Sequence, residues 1–162
     1  MPDLLTHVLI GYVLGTLIAR RTTESAPVMT TVVMLGALLP DLTKIQLLIT
    51  DARMEAALGI PFAWRALHTL GGVLVTASVG ALLVGPKMRR RVFLLLLMGA
   101  VSHLLLDSLL SKPSGYAAAL WWPFLRTGLP TPGLYVSSDR WPALVAGSLA
   151  FLTYLRTRQS TE

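Results

Sequence analysis

The sequence predicts an all-α integral membrane protein, a single domain (residues 1–162) built as a bundle of about five hydrophobic helices. Hydrophobic residues make up 54% of the 162 residues and charged residues only 14%, against about 25% charged residues in soluble domains. The mean hydropathy is +0.65, and the apolar residues are gathered into runs of helical length. These observations predict a multi-pass protein of the inner, or plasma, membrane.

The first two hydrophobic helices are predicted over residues 4–19 and 28–50. Pro40 interrupts the second, because proline lacks a backbone donor and disfavours a helical conformation in the residue before it. We therefore expect a break or kink at this point. A broken helix at membrane depth is tolerated where it lines a polar cavity, and Asp41 would lie at that break.

The remaining helices follow a charged segment. Residues 51–65 predict a short amphipathic helix at the membrane interface, and the next hydrophobic helices are predicted over residues 66–84, 92–110 and 141–155. Residues 111–140 are rich in proline and glycine and contain four tryptophan and tyrosine residues. This segment predicts a loop with aromatic side chains at the membrane interface.

The basic residues indicate a topology. With five spans, the dense basic segments at 20–21, 87–91 and 156–158 all fall on one side. Eight of the 14 lysines and arginines lie there and six lie on the other side, so the positive-inside rule predicts that the first side is cytoplasmic. We attribute the net charge of +6 to topology and to contact with membrane lipids, and expect no nucleic-acid partner. The oligomeric state is not readable from the sequence.

The charged and imidazole side chains of the apolar segments are mostly aspartate and histidine. His103 and Asp107 lie four residues apart in the fourth predicted hydrophobic helix, so they share one helical face. Asp3 and His7 have the same spacing at the start of the first helix. In the predicted topology, all three histidines and three aspartates approach the non-cytoplasmic face. The six residues are Asp3, His7, Asp41, His68, His103 and Asp107.

Such a set requires compensation, because an ionisable group at the membrane centre costs about 2.5–3.5 kcal/mol or more. Three imidazoles and up to three carboxylates, in a chain without cysteine, suit a divalent metal: zinc first, with manganese or iron as alternatives. Two other interpretations stay open. The residues form hydrogen bonds that only fasten helices together, or they form a proton or ion path.

Several short segments occur in an order that resembles a known family. They are Leu5-Thr6-His7, Gly36-Ala-Leu-Leu-Pro40-Asp41, Arg65-x-x-His68-Thr69, Gly99-x-x-x-His103-x-x-x-Asp107 and Trp122-Pro123. This looks like the family of membrane-bound metal-dependent hydrolases whose bacterial members are described as LexA-regulated inner-membrane proteins. That family is thought similar to zinc-dependent phospholipase C and single-strand nucleases. The resemblance covers about residues 3–125, and the metal positions that it implies are His7, Asp41, His68, His103 and Asp107.

The chain departs from the common pattern of that family at two positions. Thr43 stands where a second aspartate often follows the Pro-Asp pair, and Trp64 stands where a histidine often precedes the mid-chain arginine. These departures affect the number of metals, the choice of substrate or the activity of the site.

The resemblance and the ligand set together predict hydrolysis of an ester or phosphoester in a lipid or another small molecule near the membrane. Asp41 or Asp3 would serve as general base. Arg65 would hold a phosphate with two hydrogen bonds. The alternative for this arginine is a structural ion pair with Asp51 or Glu55.

Overall fold

The computed structural model describes residues 4–22, 25–117, 119–126 and 128–159. Within these residues the chain forms six α-helices and two 3₁₀ helices, and no β-strand. The α-helices are α1 (Leu4–Ala19), α2 (Ala26–Leu38), α3 (Asp51–Leu58), α4 (Leu70–Leu82), α5 (Pro86–Ser108) and α6 (Trp141–Gln159). The 3₁₀ helices are Leu39–Leu47 and Trp64–His68. The predicted all-α class is therefore confirmed.

Two helical segments are long enough and apolar enough to cross a membrane, judged by length and composition. One is Ala26–Leu47, which joins α2 to the 3₁₀ helix that continues it, and the other is α5. The helices α1 and α4 are apolar but shorter. The 13 residues of α4 rise only about 20 Å, against a hydrocarbon core of about 30 Å. The prediction of about five spans is not confirmed and stays a prediction.

The interruption at Pro40 is a change of helix type. The helix α2 ends at Leu38, and the N–H of Leu39 already donates to Gly36 O, only three residues back. Because Pro40 has no N–H with which to continue the α-helical pattern, the chain tightens into the 3₁₀ helix Leu39–Leu47. The predicted break is therefore a change of helix type within a continuous segment, and Asp41 lies in the first turn of the tightened helix.

Local capping moves two helix starts away from the predicted positions. The side chain of Thr69 accepts a hydrogen bond from Gly72 N at 3.1 Å, so α4 begins at residue 70 and the residues before it form a 3₁₀ helix. Pro86 occupies the first turn of α5, a position that suits its fixed φ angle. The helix α5 therefore begins six residues before its predicted start, and it includes the basic segment 87–91.

The short helix α3 lies outside the core. The side chain of Thr50 caps its start by accepting from Arg53 N at 3.4 Å, and Gly59 ends it in the left-handed region at φ 68°. None of its residues is buried. This helix occupies the first half of the segment predicted to be an amphipathic helix.

The helix α5 contacts both α2 and α4, and α1 packs against α2 and α6. The α2–α5 contact is close because glycines face the partner backbone. A Cβ atom on Gly99 would overlap Val33 O and lie 2.6 Å from Ala37 N, and one on Gly36 would lie 2.8 Å from the Cα of Leu96. Small residues at crossings are typical of membrane helices, which associate by close packing.

Large apolar side chains also cover much of the outer surface. Leu83 is 84% exposed, Leu144 70% and Phe151 60%, and similar side chains cover the outer faces of α4 and α6. An apolar surface of this extent marks an interaction site. Lipid is the partner that the composition indicates.

We predict that Gly99→Ala destabilises the α2–α5 contact. The added methyl group meets backbone atoms of α2 that move only with the whole helix, and overpacking of this kind costs about 1–3 kcal/mol. Thermal unfolding in detergent, followed by circular dichroism, should show a lower midpoint for the variant. A midpoint at or above that of the parent would contradict the packing.

Gly147→Ala is the matched control, because Gly147 also lies inside a helix but has only Leu9 Cδ1 at 4.0 Å from an added Cβ. Here alanine should raise the stability by up to about 1 kcal/mol through its higher helix propensity.

Candidate metal centre

Five of the predicted site residues come together at the end of the bundle where α2 passes into its 3₁₀ helix. They come from four segments: His7 from α1, Asp41 and His68 from the two 3₁₀ helices, and His103 and Asp107 from α5. All five are buried. Asp3, the sixth predicted residue, lies outside the described residues.

The carboxylate of Asp107, only 2% exposed, is the centre of the cluster. His68 Nε2 lies 2.7 Å from Oδ2, and His103 Nε2 lies 3.7 Å from the same oxygen. His7 Nε2 lies 3.6 Å from Oδ1. The rings of His7 and His103 stack with their centroids 3.6 Å apart. Three imidazoles thus present Nε2 to one buried carboxylate.

Backbone carbonyls fix the orientation of two of these rings. His103 Nδ1 lies 2.7 Å from Ala37 O, and His68 Nδ1 lies 3.1 Å from Pro40 O. Because a carbonyl oxygen only accepts, each Nδ1 carries the proton, and each Nε2 keeps a lone pair when the ring is neutral. This arrangement of an Nδ1–H on a carbonyl is typical of metal-binding histidines.

The cluster needs a positive charge. A lone pair on His68 Nε2 that faces a carboxylate oxygen at 2.7 Å repels it unless a proton or a metal ion joins the two. Buried polar atoms without a hydrogen-bond partner cost about 1–3 kcal/mol each. Within the described residues, such atoms at this site are His7 Nδ1 and Nε2, His103 Nε2, Asp41 Oδ1 and Asp107 Oδ1. A cation between the side chains would satisfy most of them.

Two overlapping groups of side chains suit a metal ion. One group is His7, His103 and Asp107, and the other is Asp41, His68 and His103; within each group the donor atoms lie within 4.8 Å of one another. A tetrahedral site with bonds of about 2.1 Å has donor atoms roughly 3.4 Å apart, close to the 3.6 and 3.7 Å measured around Asp107. His103 belongs to both groups and has one free lone pair, so one ion at a time fits.

Lys44 favours the first group as the site of that ion. Its ammonium lies 2.8 Å from Asp41 Oδ2, so it neutralises the carboxylate of the second group and repels a cation placed beside it. Sequence reasoning did not single out Lys44. The sequence feature that could have identified it is its position three residues after Asp41, because this spacing places two side chains on one side of a 3₁₀ helix.

A pocket of about 480 Å³ opens onto this cluster. Its lining residues are Thr43, Lys44, Gln46, Arg65, His68, Thr69, Asp107, Lys112, Ala119 and Leu120. Four of these residues are buried, namely Thr43, His68, Asp107 and Leu120, and three are basic, namely Lys44, Arg65 and Lys112. Arg65, predicted to hold a phosphate, is exposed and lies on the wall of this pocket.

Residues 1–161 match the model of the YdjM inner membrane protein family. The chain belongs to this family. The membrane class predicted from its composition is therefore confirmed. No curated protein and no solved structure matches the chain.

In this YdjM-family chain, Arg65 is not paired with the acids that the alternative interpretation gave it. Asp51 Oδ1 accepts from Trp64 N at 3.0 Å, and Glu55 Oε1 accepts from Phe62 N at 3.1 Å. Within the described part of the chain neither carboxylate forms an ion pair with Arg65.

The two departures from the hydrolase pattern have structural roles. Thr43 is buried, and its hydroxyl donates to Pro40 O at 3.2 Å. The same carbonyl accepts a hydrogen bond from His68 Nδ1. Trp64 donates its indole N–H to Ile49 O at 2.7 Å. Thr43 therefore bonds to the carbonyl that orients His68, whereas Trp64 fastens the second 3₁₀ helix to the residues before α3.

The loop that follows α5 returns to the site at the start of α4. Leu70 N donates to Leu120 O at 2.7 Å, and Gly71 N donates to Trp122 O at 2.8 Å. These bonds satisfy N–H groups that the first turn of a helix leaves without partners. The loop thereby fixes the residues that immediately follow His68.

Tyr135 belongs to the same loop but points inward, unlike an interfacial aromatic residue. It is buried, and its hydroxyl donates to Leu106 O at 2.5 Å. Burial, with a smaller contribution from the charge of Asp107, raises the pKa of Tyr135 to about 12. The phenol therefore stays protonated at neutral pH and keeps its bond to α5 beside Asp107.

We predict that the purified protein binds one divalent zinc ion per chain and that His103→Ala abolishes this binding. The reason is that His103 contributes to both candidate groups. Metal content by mass spectrometry, after zinc loading and desalting, provides the measurement.

Ser102→Ala is the control on the neighbouring residue, because the Ser102 hydroxyl bonds to Gly99 O within its own helix. It should keep the full metal content. Two tightly bound ions per chain, or a full complement in His103→Ala, would contradict the assignment.

Proposed function

We propose that this protein is a membrane-bound, metal-dependent hydrolase of an ester or phosphoester, with a lipid-derived substrate. The observation that carries the proposal is the convergence of three imidazole Nε2 atoms on the single buried carboxylate of Asp107. That cluster lies at the end of a pocket open to the outside. A cluster that served only to fasten helices would not need a pocket.

His7, His103 and Asp107 are the side chains that would hold the ion. Two imidazoles and one carboxylate form a zinc ligand set that leaves a fourth position for water or substrate, as in catalytic zinc sites. A zinc ion held there supplies Lewis acidity, which polarises a phosphoryl or acyl oxygen and makes a bound water more acidic.

The chain's own residues supply the other requirements. Asp41 Oδ1 is buried and without a hydrogen-bond partner, so it can take the proton of the attacking water. The water oxygen bonds to the phosphorus or acyl carbon, the bond from that atom to the leaving oxygen breaks, and the leaving oxygen receives the proton. Arg65, on the pocket wall, orients a phosphate of the substrate. A proton between His68 Nε2 and Asp107 Oδ2 holds the carboxylate in place.

The surroundings of the pocket favour a lipid-derived substrate. Leu47 and Leu48 are 82% and 80% exposed, and they directly follow the pocket residue Gln46. Phe124, in the loop that provides Leu120, is 75% exposed. Exposed apolar side chains close in sequence to the pocket residues are suited to contact acyl chains while a headgroup enters the pocket.

A non-catalytic role is the alternative that a specific contact favours. The direct His68–Asp107 bond of 2.7 Å joins the second 3₁₀ helix to α5, and a protonated His68 would stabilise this bond without any metal. This alternative predicts a protein that keeps its fold and lacks both metal and turnover. An ion path would instead show flux into liposomes.

Hydrolysis can be tested directly with purified protein loaded with zinc or manganese. We expect turnover on at least one member of a panel of p-nitrophenyl phosphate, bis-p-nitrophenyl phosphate, p-nitrophenyl butyrate and mixed phospholipid vesicles. A chelator should abolish it, and His103→Ala should reduce it by about two orders of magnitude or more, because a metal ligand is lost.

Ser102→Ala again serves as the matched control and should retain the parent rate. If the metal-loaded parent is inactive on the whole panel, or if His103→Ala is as active as the parent, the helix-fastening role replaces the enzymatic one.

A further inference from the structure

Three basic side chains line the pocket above the candidate metal centre. They are Lys44, Arg65 and Lys112, which come from the first 3₁₀ helix, the second 3₁₀ helix and the loop after α5. The sequence places them 21 and 47 residues apart, so only the fold brings them to one pocket. Neither the resemblance nor the ligand set assigns a role to Lys44 or Lys112.

Two of these cations have no acid partner. Lys44 is paired with Asp41 at 2.8 Å. In the part of the chain that the structure describes, neither Arg65 nor Lys112 forms an ion pair with a carboxylate. Lys112 is also half-buried, which is a costly position for an ammonium without a partner. Unpaired basic side chains on a concave wall are typical of a site for an anion.

The buried end of the pocket also points to a ligand. Asp107 lines the pocket and is almost fully buried, yet its Oδ1 atom has no hydrogen-bond partner among the described residues. The unpartnered atoms of the cluster and the unpaired cations therefore border the same cavity. An anionic group bound by the cations would therefore lie next to the candidate metal centre.

The charge of the pocket selects among possible anions. The three cations exceed the carboxylates Asp41 and Asp107 by one positive charge, and a divalent metal ion would raise this excess to three. With or without the metal the net charge is positive, so a phosphate monoester, which carries close to two negative charges above pH 7, is attracted more strongly than a diester with one or a carboxylic ester with none.

We propose that Lys44, Arg65 and Lys112 form a binding site for a phosphate monoester group, presented by a lipid headgroup or by a soluble molecule. This rests on the proposed function and narrows its substrate class to phosphomonoesters. The bond between phosphorus and the alcohol oxygen breaks and water oxygen bonds to phosphorus. The proton from that water ends on the alcohol oxygen, which leaves inorganic phosphate and an alcohol.

The binding step is tested without metal and without turnover. Chelator-treated protein in non-ionic detergent is titrated calorimetrically at pH 8 with methyl phosphate, a dianion, and with dimethyl phosphate, a monoanion. We expect methyl phosphate to bind at least about tenfold more tightly. Lys112→Gln and Arg65→Gln should each weaken it by about tenfold, because each removes a charge-assisted hydrogen bond.

Two kinds of variant keep this test decisive. Lys112→Arg and Arg65→Lys keep the charge and should retain most of the binding, even if the glutamine variants fold poorly. Lys87→Gln is the control, because Lys87 lies at the opposite end of α5 from the site. Equal binding of the two esters, or equal affinities for Lys112→Gln and Lys87→Gln, would overturn the proposal.

The source of the phosphate is separated by a second titration. Nanodiscs that contain phosphatidic acid, a monoester lipid, are compared with nanodiscs that contain phosphatidylglycerol, a diester lipid, for competition with methyl phosphate. Competition by phosphatidic acid alone supports a lipid headgroup, and no competition by either supports a soluble monoester. Competition by both lipids to the same extent would contradict selectivity for a monoester. Because these arms measure binding alone, their outcome is independent of whether the protein hydrolyses any ester.

Discussion

The structure depends on one buried carboxylate. Asp107 has almost no contact with solvent, lies near the end of a helix that is long enough to span the membrane and is surrounded by three imidazoles. A charge in this position is stable only if a cation compensates it. The three imidazoles come from α1, the second 3₁₀ helix and α5, and their ring nitrogens offer the lone pairs that a metal ion requires. Compensation of one charge therefore connects the packing of the helices to the chemistry of the site.

Pro40 contributes to the site through the backbone. Because it ends the α-helical hydrogen-bond pattern, the chain tightens at Leu39. The carbonyls of Ala37 and Pro40 there accept the Nδ1–H groups of His103 and His68. A glycine contact between α2 and α5 brings His103 close enough for this bond. The helix break, the close packing and the orientation of the rings are thus parts of one arrangement, and the side chains need little rearrangement to bind a metal.

Local signals in the sequence predicted much of the fold. Proline chemistry indicated the interruption at Pro40, and helical spacing placed His103 and Asp107 on one face. The predicted topology placed the three histidines on one side of the membrane, and the structure brings their rings together around Asp107. The 3₁₀ geometry after Leu38 and the carbonyl partners of the rings were not predictable, because they depend on contacts between distant segments. That Lys44 and Lys112 line the same pocket could not be predicted from the sequence for the same reason. The number of spans stays a prediction, since α1 and α4 are shorter than a bilayer core.

The most direct test of the metal centre is an anomalous-scattering measurement on crystals of the zinc-loaded protein, with data collected on both sides of the zinc absorption edge. The account predicts one strong zinc peak per chain, within about 2.0–2.2 Å of Nε2 of His7 and His103 and of a carboxylate oxygen of Asp107. His68 Nδ1 should still contact Pro40 O. A well-ordered site with no zinc peak would contradict the account and leave the cluster as a fastening between helices.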